Sequence, residues 1–362
     1  MNPPAEDVSV GRRFSPDTPT PGYLISRDPL IVWGPNQPGR QTGPGRVLAG
    51  IVGNRRVYFL FALSSTRENG KDFEADIAEI AALRARYPEH RYIALCNTRR
   101  EVERFAECDV PAILCSALAF VDETRFVPDP RAPKELDAIY TATLTPVKRH
   151  ELCRDIEKLG LIYHWFANAA RGRPPAETLA IYRAKLPRAR FLNDEEGSYR
   201  RFGGGDVCRW INRARVGLCL SAREGAMLAA MEYLLCGIPV VSTPSIGGRD
   251  RVLDPRHSLI VEPDPASVAG AVRSLGARFC DPRAIRKAAF DAMRADRMRL
   301  IRFIETVFNQ EQVPFPANAA WIELFRRSAW PMTTVEGILS AVPIAELPAT
   351  TPTGADRIAD RG

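Results

Sequence analysis

Apolar residues along this chain gather in short continuous runs, and between the runs they return at every third or fourth position. The first rhythm marks buried strands, the second amphipathic helices. Residues 57–62 are the clearest strand of the first half, with 30–33, 91–96 and 112–115 beside them. Residues 72–87 are predicted helical, with Phe73, Ile77, Ile80 and Leu83 on one face, and Thr98 is placed to cap a helix running to Cys108. The second half repeats the alternation. Strands are predicted at 136–144, 161–166, 189–193, 216–220 and 238–241, with a last one near 259–264. Helices are predicted at 151–159, 176–185, 206–213, 264–275, 281–309 and 320–327. Strands and helices in alternation imply parallel sheets covered by helices.

Glycine and proline punctuate this pattern. Residues 34–45 hold four glycines and three prolines and read as a turn cluster. Gly203-Gly204-Gly205 reads as a loop ahead of the next helix. Pro128, Pro130 and Pro133 stiffen a connector that follows Cys115. Residues 1–25 form a polar, proline-rich arm without a hydrophobic signal-peptide segment, and 346–362 form a polar tail; both are expected to be disordered.

The chain has 362 residues, enough for two domains with a core each. With 45% hydrophobic and 26% charged residues it has the composition of a soluble globular protein, and no apolar run approaches the roughly 20 residues of a membrane helix. Eight cysteines are scattered without metal-like or disulfide-like spacing, so a cytoplasmic location is expected and no metal is. A net charge of +7 favours anionic partners. Nucleic acid is set aside, because no zinc knuckle, helix-turn-helix or basic patch interleaved with aromatics is visible. Residues 283–302 carry seven cations around an apolar stripe; that face suits either solvent or peripheral contact with an anionic membrane surface.

The chemistry concentrates in residues 216–243. A buried strand leads into Glu224-Gly225, then a helix with Met227, Leu228, Met231, Leu234 and Leu235 on one side. Gly237 stands at its left-handed end, ahead of the strand Ile238-Pro239-Val240-Val241. Open α/β sheets bind ligands at the carboxyl ends of their strands, where helix N-termini point N–H groups and a positive dipole outward. A phosphate is expected on the amides of Gly225, Ala226, Met227 and Leu228. Glu232, about a turn further in, is expected to accept hydrogen bonds from a ribose diol, while Glu224 faces whatever the phosphate carries.

Glu224-Gly225, six residues, Glu232 and then Cys236-Gly237-Ile238-Pro239-Val240-Val241 resemble the nucleotide-binding signature of retaining glycosyltransferases of family 4, and Gly247-Gly248 resembles a later turn of the same family. The resemblance implies an α/β protein of GT-B fold, two Rossmann-like domains facing each other across a cleft. It implies an N-terminal acceptor-side domain at 26–132, short for the family, and a nucleotide-sugar-binding domain at 133–280. Helices at 281–345 are expected to pack back across the first domain. Lys148 matches a family lysine that pairs with the donor diphosphate, whereas Thr143 stands where the family has an arginine; the neighbouring Arg149 is the candidate substitute. Asn193, with Tyr199, is expected near the base, and His150 reads as a surface histidine beside Lys148.

The resemblance thus implies a metal-independent glycosyltransferase that moves a sugar from a nucleotide-diphosphate donor to a glycan or lipid-linked acceptor, as in polysaccharide biosynthesis. Glu224 and Lys148 are its catalytic residues, and no cofactor is needed beyond the donor substrate. A nucleotide-sugar 2-epimerase and a non-catalytic GT-B protein that binds a glycan or partner stay open beside it.

Overall fold

A computed structural model describes residues 17–36, 39–164, 174–195, 198–316, 321–325 and 332–339. The chain falls into two compact units, Met1–Phe61 with Ala75–Ile93 and Trp330–Gly362, and Ala62–Glu74 with Ala94–Ala329.

The first half carries strands β1 (Pro19–Pro21), β2 (Tyr23–Arg27) and β3 (Leu30–Pro35), helix α1 (Pro44–Val52), β4 (Val57–Ala62) and α2 (Lys71–Arg86). It continues with β5 (His90–Cys96), α3 (Arg99–Glu107) and β6 (Ala112–Leu114). Strands β2 to β6 form a five-stranded sheet in chain order, in which β2 and β3 are antiparallel and β5 and β6 parallel. Residues 17–25 depart from the expected disordered arm: β1 and β2 lie there, and β1 pairs antiparallel with β15 (Met332–Thr334). The expected disorder of 1–16 and 346–362 lies outside the described residues. The glycine cluster also ends sooner than the pattern suggests, because Gly43, at φ 57°, lets Pro44 take the first position of α1. Thr98 caps α3 in a reciprocal box with Glu101, as its position predicts.

The second half opens with β7 (Leu136–Thr143), β8 (Leu159–His164), α4 (Pro175–Lys185) and β9 (Arg190–Phe191). A short hairpin of β10 (Asp194–Glu195) and β11 (Ser198–Tyr199) precedes α5 (Gly204–Asn212), β12 (Ala214–Cys219), α6 (Leu228–Leu235), β13 (Val240–Ser242) and β14 (Ser258–Ile260). Helices α7 (Pro265–Ala277), α8 (Pro282–Gln310), α9 (Trp321–Leu324) and α10 (Val335–Leu339) complete the order. Here the sheet has six strands in the order β14-β13-β12-β7-β8-β9, parallel throughout. Its centre is fully apolar: Ile139, Val216, Leu218, Val240 and Val241 are buried against Met231, Leu234 and Leu235 of α6 and Val268 and Val272 of α7. Tyr233 lies over Gly217, where any Cβ would strike its ring, and its hydroxyl accepts the Thr141 N–H at 2.7 Å. That contact seats α6 on the middle of the sheet.

Two predicted elements differ. Residues 151–159 do not form an α-helix; two short 3₁₀ turns, Pro146–Lys148 and His150–Cys153, replace it, joined by Arg149 in the left-handed conformation at φ 49°. Leu152, Cys153 and Ile156 are buried at helical spacing, which is why the pattern misleads; the chain must turn at once to begin β8 at Leu159. Of the triple glycine, Gly203 is the N-cap of α5, and Gly204 and Gly205 lie in its first turn rather than in a loop. A Cβ on Gly204 would meet the Arg125 side chain. No helix among the described residues is long and apolar enough to cross a membrane.

Helix α8 is fastened through its own charged residues. Asp296 accepts the Ser116 N–H, and Arg297 donates to the carbonyls of Ala119 and Val121 and to the Glu123 carboxylate. Of the seven cations read along this helix from the sequence, Arg286, Arg297 and Arg299 are thus structural, Arg286 through the Phe126, Glu123 and Leu235 carbonyls and Arg299 through the Leu114 carbonyl and Asp296.

Candidate functional site

The carboxyl ends of β12 and β13 meet at a frame of backbone carbonyls held by two arginines, one of them from the turns that follow β7. Arg249, fully buried, donates to the carbonyls of Cys219, Ser221 and Thr243 and to the Asp250 carboxylate. Arg149 comes from the other side: its Nε donates to Leu220 O at 2.6 Å and its Nη2 to Thr243 Oγ1 at 2.7 Å. The left-handed turn at Arg149 directs that side chain to the frame. Burial, and then the charge of Arg249, lower its pKa. The sequence marks Arg149 as a substitute phosphate ligand; the structure commits much of its guanidinium to carbonyls and a hydroxyl.

The 3₁₀ turn before it is fixed by the Tyr140 hydroxyl, which donates to Lys148 O at 2.6 Å, and by the Ala222 N–H, which donates to Val147 O at 3.1 Å. These bonds bring Lys148 beside the turn that enters α6. Its Nζ forms an ion pair with Glu224, both side chains more than four-fifths covered. Two residues 76 positions apart, each singled out from the sequence, therefore share one bond.

The entering turn is bound to the segment after β13. Glu224 N–H donates to Ile246 O at 2.9 Å, Ile246 N–H to Ala222 O at 3.1 Å and Gly248 N–H to Gly225 O at 3.0 Å. Gly247, at φ 114°, has no room for a side chain, since a Cβ would lie 2.0 Å from Glu224 O. Gly225 is as tightly held: a Cβ there would lie within 3.0 Å of Ser65 backbone atoms and of Asn97 Nδ2. Gly225 and Met227 are buried, whereas Ala226 and Leu228 are half-buried. Met227 is the N-cap of α6 and makes no side-chain capping bond, so the first N–H groups of the helix carry no side-chain acceptor. Of the four expected phosphate-binding positions, Ala226 and Leu228 are the accessible ones.

Glu232 occupies the second turn of α6 and is half-buried. Burial, and then the charge of Cys208, push its pKa up to about 7. Cys208 itself lies 3.7 Å from Cys236, sulfur to sulfur, and the hydrogen bond between them brings its pKa down to about 6.

Two expectations need correction. Asn193 is buried and its side chain is spent on the backbone: Oδ1 accepts Tyr163 N–H at 3.0 Å, and Nδ2 donates to Tyr163 O and Arg200 O at 2.8 and 3.0 Å. Both amide protons are used in bracketing β8 to the hairpin, so none is left for a base. His150 is not on the surface; it is buried between the rings of Tyr140 and Tyr182, each 5.0 Å away, and burial lowers its pKa to about 3.

The sequence reading missed Arg249 and Asn97. Arg249 follows the Gly247-Gly248 pair, and nothing in a sequence distinguishes an arginine that braces strand ends from a solvated one. Asn97 donates to Leu63 O, accepts Ser116 Oγ–H, and receives Arg251 on its carbonyl, which fixes the loop after β5 against Gly225 and Gly248.

Residues 182–277, which hold Glu224, Glu232 and Arg249 but not Lys148 or Arg149, match the family model described as glycosyl transferases group 1. Among curated proteins no relative matches the chain. Among solved structures the apo form of OtsA is similar at a TM-score of 0.52 and 14% identity, covering 79% of this chain and 73% of that one. An α,α-trehalose-phosphate synthase (UDP-forming) from Burkholderia vietnamiensis gives 0.51 and 15%, with 77% and 73% covered. HepE of Anabaena in complex with UDP gives 0.50 and 12%, with 78% of each chain covered. At these identities the likeness is one of fold. The chain is an α/β protein with the Rossmann-like domains of the GT-B glycosyltransferases, and its segment 182–277 is similar to glycosyl transferases group 1.

Proposed function

We propose that this protein is a retaining glycosyltransferase that transfers a sugar from a nucleotide-diphosphate donor to a glycan or other glycoconjugate acceptor. The observation that carries the reading is the Lys148–Glu224 ion pair beside the uncapped N-terminus of α6, at the carboxyl ends of parallel strands. Such a site supplies a cation and unshared N–H groups to a departing diphosphate, and a carboxylate next to them for the transferred sugar. Lys148 moves from Glu224 to the β-phosphate when the donor binds. Glu224 is then released to face the sugar, where it balances positive charge developing at the anomeric carbon. The departing β-phosphate takes the acceptor's proton, so positioning and charge neutralisation are what the protein provides. Neither a metal nor a cofactor is called for, because Lys148 and the helix dipole neutralise the phosphates. Glu232 holds the ribose diol, and the hydroxyl donors favour its ionised form despite burial.

The acceptor is read as a glycan or a lipid-linked sugar, and the location as cytoplasmic with peripheral contact to the inner membrane face. Exposed Phe290 and Met298 on α8 alternate with the cations Arg283, Lys287, Arg294 and Arg302, which suits an anionic surface. A non-catalytic reading has its own support: Thr143 in place of the phosphate arginine, and the close cover of Gly225 by Ser65 and Asn97.

The test is a panel of nucleotide sugars followed by thermal shift on the wild type and on Glu232→Ala. Donor-dependent stabilisation that disappears in the variant is expected. Stabilisation by none of the panel favours the non-catalytic reading, and conversion of donor to an epimer without acceptor favours the isomerase.

A further inference from the structure

At the opposite end of the six-stranded sheet lies a cavity of about 750 Å³, within the range of small-molecule sites. Three arginines line it: Arg215 at the start of β12, Arg188 just ahead of β9, and Arg273 on α7. Three carboxylates line it too, Asp137 at the start of β7 and Asp155 and Glu157 ahead of β8. Ile156 and Val272 give it apolar wall.

The charges of opposite sign do not meet. Among the described residues none of the three guanidinium groups has a hydrogen bond or an ion pair, although Arg213, just ahead of β12, pairs with Glu135. On the acidic side, Asp137 accepts the Lys158 N–H at 3.1 Å and, among the described residues, Asp155 reaches only its neighbour Arg154 at 3.8 Å. Glu157 has no partner among the described residues. Three like charges round one cavity repel each other, and oppositely charged groups standing out of bonding range leave both sets to be satisfied by what enters.

A ligand that fits must offer an anion to the arginines and hydroxyl donors to the carboxylates. Arginine's planar fork suits phosphate oxygens, and a carboxylate accepts two hydroxyls of a diol. Inorganic phosphate alone meets the first set and is repelled by the second; a neutral sugar meets only the second. We propose that this cavity binds a phosphorylated sugar or polyol, at a site separate from the one at the carboxyl ends of the strands. The proposal does not rest on the donor reading, since no residue is shared.

Isothermal titration of the full chain with glucose 6-phosphate, glucose and inorganic phosphate tests it. Glucose 6-phosphate is expected to saturate, with glucose and inorganic phosphate each at least about tenfold weaker. Arg215→Ala/Arg273→Ala is expected to weaken glucose 6-phosphate at least about tenfold with an unchanged melting midpoint, and Asp137→Asn/Glu157→Gln to abolish its advantage over inorganic phosphate. Should the double arginine variant melt early, Arg273→Ala alone, an exposed position on α7, reads the same loss in smaller measure. The proposal is overturned by no saturable binding up to about 10 mM, by equal binding of inorganic phosphate, or by unchanged affinity in the arginine variants. Competition by a nucleoside diphosphate also overturns it, because the ligand then belongs to the other end of the sheet.

Discussion

The two ends of the six-stranded sheet treat their charges in opposite ways. At the carboxyl ends of β7, β12 and β13, Arg249 is sealed against three carbonyls, Arg149 is bound to Leu220 and Thr243, and Lys148 is paired with Glu224. At the amino ends Arg188, Arg215 and Arg273 hold no partner among the described residues. The difference separates two kinds of cation. Those that donate to carbonyls fix the shape of the strand ends and are not available for exchange without loss of fold. The Lys148–Glu224 bond joins two side chains, and it can open while the frame stays in place. At the amino ends no bond among the described residues has to open before these three arginines can take a ligand.

The comparison breaks most visibly in stability. Arg249→Leu removes the donor to three buried carbonyls, of which Cys219 O keeps the Ser242 hydroxyl at 3.1 Å, and is expected to cost roughly 3–5 kcal/mol. Arg215→Ala, at an exposed position, is expected to stay within about 0.5 kcal/mol of the wild type. Urea denaturation of the two variants reads both numbers. Equal losses would show that the carboxyl end is no more dependent on its arginine than the amino end.

Next in size is the effect on binding. Lys148→Ala is expected to weaken a nucleoside diphosphate by about 1.5–3 kcal/mol, roughly 10- to 150-fold, the worth of a charged hydrogen bond. The corresponding nucleoside, which has no phosphate, is expected to change little. Titration calorimetry with both compounds separates the cases, and an equal loss for both would move Lys148 away from the phosphates. Glu224→Gln sharpens the point, since it frees Lys148 and is expected to tighten the diphosphate while sugar transfer is lost.

Much of this end of the sheet is legible from the chain alone, and the reasons are local. Strands such as β4 and β12 are short apolar runs, Thr98 with Glu101 spells out a capping box, and Glu224-Gly225 and Glu232 fall in a pattern whose spacing fixes one face of one helix. The rest depends on residues far apart in sequence. Asn193 has the composition of a ligand contact, but its partners Tyr163 and Arg200 come together only when β8 and the hairpin do. Arg149 reads as one more cation after Lys148 until the left-handed turn points it at Leu220. The burial of His150 follows from the two 3₁₀ turns that replace a helix of the same apolar spacing. In each case burial and partner choice, rather than residue type, decide the role.

The smaller effects concern protons. Glu232 has its pKa pushed up to about 7 in the folded protein, from an ordinary 4.5, chiefly by burial. The folded state therefore holds this proton more tightly than the unfolded chain: the stability it contributes is complete below about 4.5 and is lost as pH rises through about 7. Binding runs the other way. A ribose diol donates hydrogen bonds, which the carboxylate accepts best when ionised, so diphosphate affinity is expected to rise between roughly pH 6 and 8 by up to about tenfold. The diphosphate titrates in the same window, so the measured quantity is the difference between wild type and Glu232→Gln, whose profile lacks that rise. A smaller change again is expected of Cys208→Ser, which removes a neighbouring negative charge that helps hold the Glu232 pKa up. The midpoint of the affinity rise should then move to lower pH by less than burial moves it, a few-fold gain in affinity near pH 6.5 and none near pH 8. A midpoint that stays in place would mean that Cys208 is protonated in that range, and that the thiol pair 3.7 Å apart does not communicate with the helix that carries Glu232.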